Sequence, residues 1–147
     1  MADPRNPQQQ LVTEWAVQMI GTVVLAAVVL IFFRSSDTIM RDLDPKWALF
    51  ALYAATAAII PPLLYLRYFK RVLDVDRSAT LARGGTPEPD LRAVLMHAIR
   101  VGGALCELPQ AVGVVHVLLG GQTRWFLCAT LVTLALRLSY RPFERLR

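Results

Sequence analysis

Residues 15–33 read WAVQMIGTVVLAAVVLIFF and residues 47–66 read WALFALYAATAAIIPPLLYL, and neither stretch contains Asp, Glu, Lys or Arg. Each is long enough to cross a hydrocarbon core of ~30 Å as a helix that rises ~1.5 Å per residue. Trp15 and Trp47 begin the two stretches, and indole rings favour the headgroup level of a bilayer. Two such stretches in a chain of 147 residues exclude an ordinary soluble domain and a disordered protein. The sequence therefore predicts a membrane protein with several spans.

Two further apolar stretches follow, and each is interrupted by charge. Residues 93–121 contain Arg100 and Glu107, and residues 125–140 contain Arg137. The turn signal Gly120-Gly121-Gln122 separates them, so they are expected to form a tight helical hairpin. We therefore predict an all-α fold, with four transmembrane helices in an antiparallel bundle that forms one membrane domain over residues 1–147. The predicted spans are residues 15–33, 47–66, 94–120 and 125–141, with a cytoplasmic loop at residues 67–92.

The distribution of Lys and Arg predicts the orientation. With four spans, ten basic residues fall on the side of both termini and the 67–92 loop, and four fall on the other side. The ten are Arg5, Arg67, Lys70, Arg71, Arg77, Arg83, Arg92, Arg141, Arg145 and Arg147; the four are Arg34, Arg41, Lys46 and Arg124. The positive-inside rule then places both termini in the cytoplasm, and we expect a multi-pass protein of a bacterial inner membrane. The basic segment 68–75 is expected to extend the second helix among lipid headgroups, so membrane lipids are expected partners.

The third span carries two different stripes when it is drawn as a helix. His97, Arg100, Gly103, Glu107 and Gln110 fall within an arc of ~140° and form a polar stripe. The other side carries small or helix-perturbing residues that would let neighbouring helices approach closely, and these are Gly102, Cys106, Pro109, Gly113 and Gly120. A helix with both stripes has little surface left for lipid. We therefore expect the third span to be the central helix of the bundle or a contact between subunits.

Glu107 lies near the middle of the predicted membrane, where a lone carboxylate is costly. It can stay protonated, or it can pair with a cation. If the hairpin turns at residues 122–123, position 107 is level with position 138, which makes Arg137 the nearest charge on the fourth span. Arg100 lies two turns away on the same helix and is the other candidate. The sequence leaves both partners open, and it leaves open whether the carboxylate handles a proton or cation or forms an ion pair that fixes helix register.

The run ELPQAVG at residues 107–113 resembles the carboxylate helix of rotary-ATPase proteolipids, which are the ring-forming c or K subunits. Helices of that family place an ion-binding Glu six residues before a Gly, with small apolar residues between them. The resemblance implies that Glu107 is an ion-binding carboxylate and Gly113 a close-packing position. Arg137 would resemble the stator arginine against which such rings work, although that arginine belongs to a different subunit. The resemblance is confined to this one helix.

Other classes of function have less support in the sequence. We find no nucleophile motif, no phosphate-binding loop and no spacing typical of metal ligands, so we expect no catalytic residue, metal or cofactor. An enzyme that acts on lipid headgroups through His97, Arg100 and Glu107 stays an open alternative. The basic residues form a membrane-flanking cluster without aromatic platforms, which does not favour a nucleic-acid partner.

The sequence therefore predicts a small integral membrane protein that is a subunit or a self-assembling component of a membrane complex. The expected partners are further copies of the chain or other membrane subunits. The alternative is a component that translocates a proton or cation through the intramembrane carboxylate Glu107. Replacing Glu107 by Gln is the change that separates the two hypotheses.

Overall fold

The computed structural model describes residues 7–35, 44–85 and 89–141, and within them the chain is all-helical, without a strand. The helices are α1 (Pro7–Ser35), α2 (Pro45–Ala57), α3 (Ile60–Ala82), α4 (Pro89–Leu118) and α5 (Thr123–Ser139). Four of the basic residues used to predict the orientation, Arg5, Arg41, Arg145 and Arg147, lie outside the described residues.

Three helical segments are long and apolar enough to cross a membrane: Gln10–Phe33, Pro45–Ala82 and Pro89–Leu118. Most of the first segment is exposed, and its outward side chains are large and apolar, among them Val17, Ile20 and Ile31. A soluble protein does not leave such a continuous apolar surface in water. The all-helical architecture with membrane-type helices agrees with the prediction from the sequence.

The bounds of the second span differ from the prediction. The helix does not end at Leu66, because α3 continues to Ala82, and α4 begins at Pro89. The prediction that residues 68–75 extend the second helix is confirmed, whereas the predicted loop bounds of 67–92 are wrong because both ends of that range are helical. The physical reason is that Phe69 and Leu73 pack in an apolar cluster with Leu95 of α4, so the charged outer face of α3 does not end the helix.

A break at Ala58 and Ile59 separates α2 from α3. Pro61 and Pro62 follow it in the first turn of α3. Proline has no backbone N–H, so the carbonyls of residues 57 and 58 lose their usual helical donors. Prolines are tolerated at the start of a helix, where the first N–H groups have no partner within the helix. The second predicted span is therefore a broken helix rather than a straight one.

Glycine ends two of the helices in the same way. Gly84 and Gly120 have positive φ values of 66° and 83°, and each is followed by a glycine whose N–H donates back to the last turn of the helix. This is a Schellman ending, which favours glycine in the left-handed position. Gly120 is exposed in this turn, beyond the end of α4. The prediction that it belongs to the close-packing side is wrong, because its role is to reverse the chain.

Helix α4 is the centre of the structure, since it packs against each of the other helices. α1 runs parallel to α4, because Glu14 contacts Arg100 and Thr22 contacts Gln110 farther along both helices. The segment α2–α3 runs antiparallel to α4, because Ala48 near its start contacts His116 near the end of α4.

α5 is also antiparallel to α4. Tyr140 lies against Gly102, and Thr130 contacts Gln110. The later residue of α5 therefore meets the earlier residue of α4, as expected for antiparallel helices. The start of α1, the end of α3 and the end of α5 therefore lie at one end of the structure, which we call the terminal end. The hairpin turn at residues 119–122 lies at the opposite end, which we call the hairpin end.

Two apolar clusters occupy the two ends. The terminal cluster has a buried centre that includes Phe69, Leu95 and Ile99. The hairpin cluster has a buried centre of Ala26, Val29, Val117 and Phe126. The residues between them on α1, α4 and α5 include the buried polar side chains of the protein's interior.

Candidate functional site

Arg137 is the most deeply buried charged residue in the described chain, with only 2% of its side chain exposed. One terminal nitrogen, Nη2, donates to Oε1 of Glu107 on α4. The other, Nη1, donates to Oε1 of Gln18 on α1 at 3.2 Å. The Trp15 indole N–H donates to the Arg137 backbone carbonyl at 3.0 Å. The guanidinium of Arg137 on α5 thus connects α5 with α1 and α4.

Glu107 is much more exposed than its partner, with 56% of its side chain accessible. It belongs to a continuous exposed face of α4 at helical spacing, which also includes Ala104, Leu108, Ala111 and Val115. We call these five residues the open face of α4. Glu107 lies near the middle of α4, so the open face carries a half-exposed carboxylate within a helix that is long and apolar enough to cross a membrane.

Arg100 pairs with a different acid. Its Nε donates to Oε1 of Glu14 on α1 at 3.1 Å, and 62% of the Arg100 side chain is exposed. Of the two arginines that the sequence offered for Glu107, the structure therefore brings Arg137 to the carboxylate. Ion pairs as accessible as Arg100–Glu14 contribute little to stability in water.

Gln110 is buried one turn beyond Glu107. Its Nε2 donates to the Thr22 carbonyl at 3.0 Å and lies 3.3 Å from Oγ1 of Thr130 on α5. The Thr22 hydroxyl donates to the Gln18 carbonyl within α1. The amide of Gln110 therefore joins the same three helices as Arg137. We call the interior polar residues Gln18, Thr22, Gln110, Thr130, Thr133 and Arg137 the polar layer.

The polar stripe predicted on the third span is divided between surface and interior. His97 and Arg100 are exposed, and Gly103 and Gln110 are buried. Gly103 gives room to the Gln18 amide, because a Cβ at this position would overlap it. The stripe therefore faces α1 along part of its length, which explains its polarity.

The predicted close-packing residues other than Gly120 are buried in the bundle: Gly102, Cys106, Pro109 and Gly113. A Cβ at Gly102 would overlap the ring of Tyr140, and one at Gly113 would lie 3.1 Å from the Ala129 Cβ. The glycines of this side thus allow α5 to approach α4 closely.

Glu14, Gln18 and Thr22 are the residues that sequence reasoning missed. They recur every four residues on α1, so they fall on one face of the helix and meet α4 and α5. This spacing was the available signal. It was weak because hydropathy alone describes residues 15–33 as a plain membrane span, with Gln18 as the single strongly polar residue of that stretch.

His116 lies apart from the polar layer, on the side of α4 that faces α2. Its Nδ1 is 2.8 Å from the Ala48 carbonyl oxygen. A carbonyl only accepts, so Nδ1 carries the proton in this contact. Gly121 lies directly against the imidazole ring, where a Cβ would overlap it. This histidine connects α4 with α2.

The site can hold a charge inside an apolar environment, because a guanidinium, a carboxylate and neutral amides are placed together there. Three or more His, Cys, Asp or Glu side chains do not come together as a possible metal site anywhere in residues 7–35, 44–85 and 89–141. The chain matches no protein-family model, no characterised protein sequence and no solved structure.

Proposed function

We propose that this chain is a small integral membrane protein that assembles into a membrane complex through the open face of α4. The observation that carries the proposal is the exposure of Glu107. The central helix of the structure is covered by neighbours on its other sides, yet it leaves a carboxylate and small side chains uncovered at membrane depth.

The free-energy cost of exposing Glu107 to lipid favours a further helix that covers the open face of α4. A charged side chain facing acyl chains near the bilayer centre costs a few kcal/mol, ~2.5–3.5 on insertion scales. Pairing with Arg137 reduces this cost, but the accessible part of the carboxylate still faces lipid in an isolated copy. Ala104 and Ala111 on both sides of Glu107 would let a helix of a second copy or another subunit approach closely.

We further infer that four segments cross the membrane as an antiparallel bundle. α5 has 17 residues, which is at the lower limit of the ~17–25 residues of transmembrane helices. It packs along α4 in the opposite direction and carries the exposed Trp125 in its first turn, as interfacial anchoring favours. Four crossings keep the terminal end on one side, and its excess of Lys and Arg favours the cytoplasm of a bacterial inner membrane.

The orientation has a direct test. A green fluorescent protein fused after Arg147 should fluoresce, and alkaline phosphatase at the same place should be inactive. The reverse result is expected for fusions placed in the short connection between α1 and α2. An active phosphatase after Arg147 would contradict the four-span orientation.

If the chain assembles through the open face, a large side chain introduced on this face should weaken the assembly. Ala104→Trp and Ala111→Trp each place an indole on this face, so both should shift the protein from its assembled form to the single chain in mild detergent. Native mass spectrometry measures the shift. Ala135→Trp is the matched control, because Ala135 is exposed on α5 away from the open face, and it should leave assembly unchanged. Equal masses for all four proteins would contradict the proposed interface.

A second function is favoured by the asymmetry of the ion pair. Arg137 is buried, whereas Glu107 is accessible at the surface of the bundle, so the carboxylate can exchange a proton or a cation with a group that covers the open face, without opening the bundle. In this alternative the protein transfers a proton or cation through Glu107, and Arg137 adjusts the charge of the site. Helix α4 would then act as the resemblance to proteolipid helices implies.

Glu107→Gln separates the two functions. Reconstituted in vesicles with a membrane potential, the wild-type chain should show ion flux that the variant loses, with assembly intact, if translocation is correct. If assembly alone is correct, the wild type shows no flux and the variant assembles more weakly. Flux that persists in the variant contradicts a translocating role for Glu107.

A further inference from the structure

Three buried polar atoms of the polar layer have no hydrogen-bond partner among the described residues. They are Oε1 of Gln110, Oγ1 of Thr133 and Nε of Arg137. Each belongs to a residue that is almost fully buried. An unpaired buried donor or acceptor costs ~1–3 kcal/mol, so three together need an explanation.

The three atoms belong to one region of the interior. Thr130, Thr133 and Arg137 follow at spacings of three and four on α5, so they share one face of that helix. Gln110 contacts Thr130, and Arg137 reaches Glu107, which precedes Gln110 by one turn. The unpaired groups therefore lie between α4 and α5 within two turns.

Their chemistry is complementary. The Gln110 oxygen only accepts, the Arg137 Nε–H only donates, and the Thr133 hydroxyl does both. No side chain of the layer can turn to satisfy all three, because the Gln110 amide nitrogen and both terminal nitrogens of Arg137 are already occupied. A water molecule offers two donors and two acceptors and is stable in a buried site when it has two to four polar partners.

We propose that internal water occupies the polar layer and binds to Gln110, Thr133 and Arg137. In this proposal the water reaches the bulk at the terminal end along the contact between α1 and α4, where Gln18 and the exposed pair Arg100–Glu14 form a polar track. The terminal cluster is formed mainly by α3, α4 and α5 and does not cover this track. The hairpin cluster closes the other end, because Phe126 and Val117 are buried there among apolar side chains. The layer is thus a polar half-channel that ends inside the membrane.

This inference goes beyond assembly and does not depend on it. The residues of the half-channel are interior, whereas the open face is on the surface, so the tests use different substitutions. The half-channel would supply water to the region of Glu107 in the alternative function.

The direction in which Thr133→Val changes the melting temperature tests the internal water. Thr133→Val keeps the shape of the side chain and removes the hydroxyl. If the hydroxyl binds water, the melting temperature in detergent should fall by ~2–4 °C, the shift typical of losing about one hydrogen bond in a chain of this size. If the layer is dry, the variant loses an unpaired hydroxyl and its melting temperature should rise. Thr130→Val shows how large a fall in melting temperature the loss of one such hydroxyl contact causes, since it removes an observed contact with Gln110. An unchanged or raised melting temperature for Thr133→Val overturns the proposal.

A second measurement tests the direction of access. In a background with Cys106→Ala and Cys128→Ala, we introduce Thr133→Cys or, as a control from the hairpin cluster, Val117→Cys. A small charged thiosulfonate added to vesicles reacts with thiolate, which forms in water. Thr133→Cys should react at least tenfold faster from the terminal side than from the hairpin side, and Val117→Cys should react from neither. Reaction of Thr133→Cys from the hairpin side, equal reaction from both sides, or no reaction contradicts the half-channel.

Discussion

The variant Arg137→Met is expected to lose about 3 kcal/mol of stability in detergent or lipid, because removing one partner of a buried ion pair strands the other charge. Met fills part of the same volume but leaves Glu107 without its cation and Gln18 without its donor. Because the residue is buried between three helices, the loss should appear as a lower melting temperature and a smaller yield of folded protein.

Arg100→Met is the matched control for this prediction. It also removes an arginine from an ion pair within the same structure, but both Arg100 and Glu14 are partly accessible, with 62% and 35% of their side chains exposed. An exposed pair contributes ~0–1 kcal/mol, so this variant should stay close to the wild type. If the two variants lose equal stability, the burial of Arg137 is not what makes it important.

The second large effect is expected at Gly102. In Gly102→Val the new side chain overlaps the Tyr140 ring, which is buried, packs at 5.0 Å from the Phe69 ring and donates its hydroxyl to the Pro62 carbonyl. The ring cannot move without losing these contacts. Overpacking of this kind costs ~1–3 kcal/mol, and we expect the upper end because a hydrogen bond is lost with the packing.

Gly21→Ala provides the comparison for Gly102. Gly21 is also inside a helix, but a Cβ there meets nothing within 4 Å. Alanine is favoured over glycine in a helix by ~1 kcal/mol, so this variant should be as stable as the wild type or more stable. Thermal unfolding followed by circular dichroism measures both variants. A neutral Gly102→Val would mean that α4 and α5 do not approach as closely as described.

The helical architecture could be predicted because its signals are local. A run without charges, such as residues 15–33, is sufficient to indicate a membrane helix. The hairpin of α4 and α5 has a short turn, so counting from it placed position 107 level with position 138. In the structure Glu107 contacts Arg137.

Long-range packing and the end of α3 could not be predicted in the same way. The parallel arrangement of α1 and α4 brings Glu14 to Arg100 across 86 positions, and nothing local to α1 indicates its neighbour. The extension of the second helix through residues 68–75 was expected from its basic flank, but the continuation of α3 to Ala82 depends on packing of its inner face against α4. Tertiary contacts override composition at such positions.

The ion pair is more informative about register than about total stability. Replacing a buried pair by apolar residues of similar volume is often neutral, whereas removing one partner is costly. Glu107, Gln18 and Arg137 belong to three helices, so a displaced register of any of them would leave a polar group unpaired in an apolar environment. We therefore regard the pair as a device that holds α1, α4 and α5 in one alignment and presents a carboxylate on the open face.

The most direct measurement of this account is a double-mutant cycle on Glu107 and Arg137 in lipid vesicles, using Glu107→Gln, Arg137→Met and the double variant. If the two side chains form the ion pair at membrane depth, the double variant should be clearly more stable than the sum of the single losses allows, with a coupling energy of ~0.5–3 kcal/mol. Strictly additive losses would contradict the pair, and with it the alignment of the three helices around Arg137.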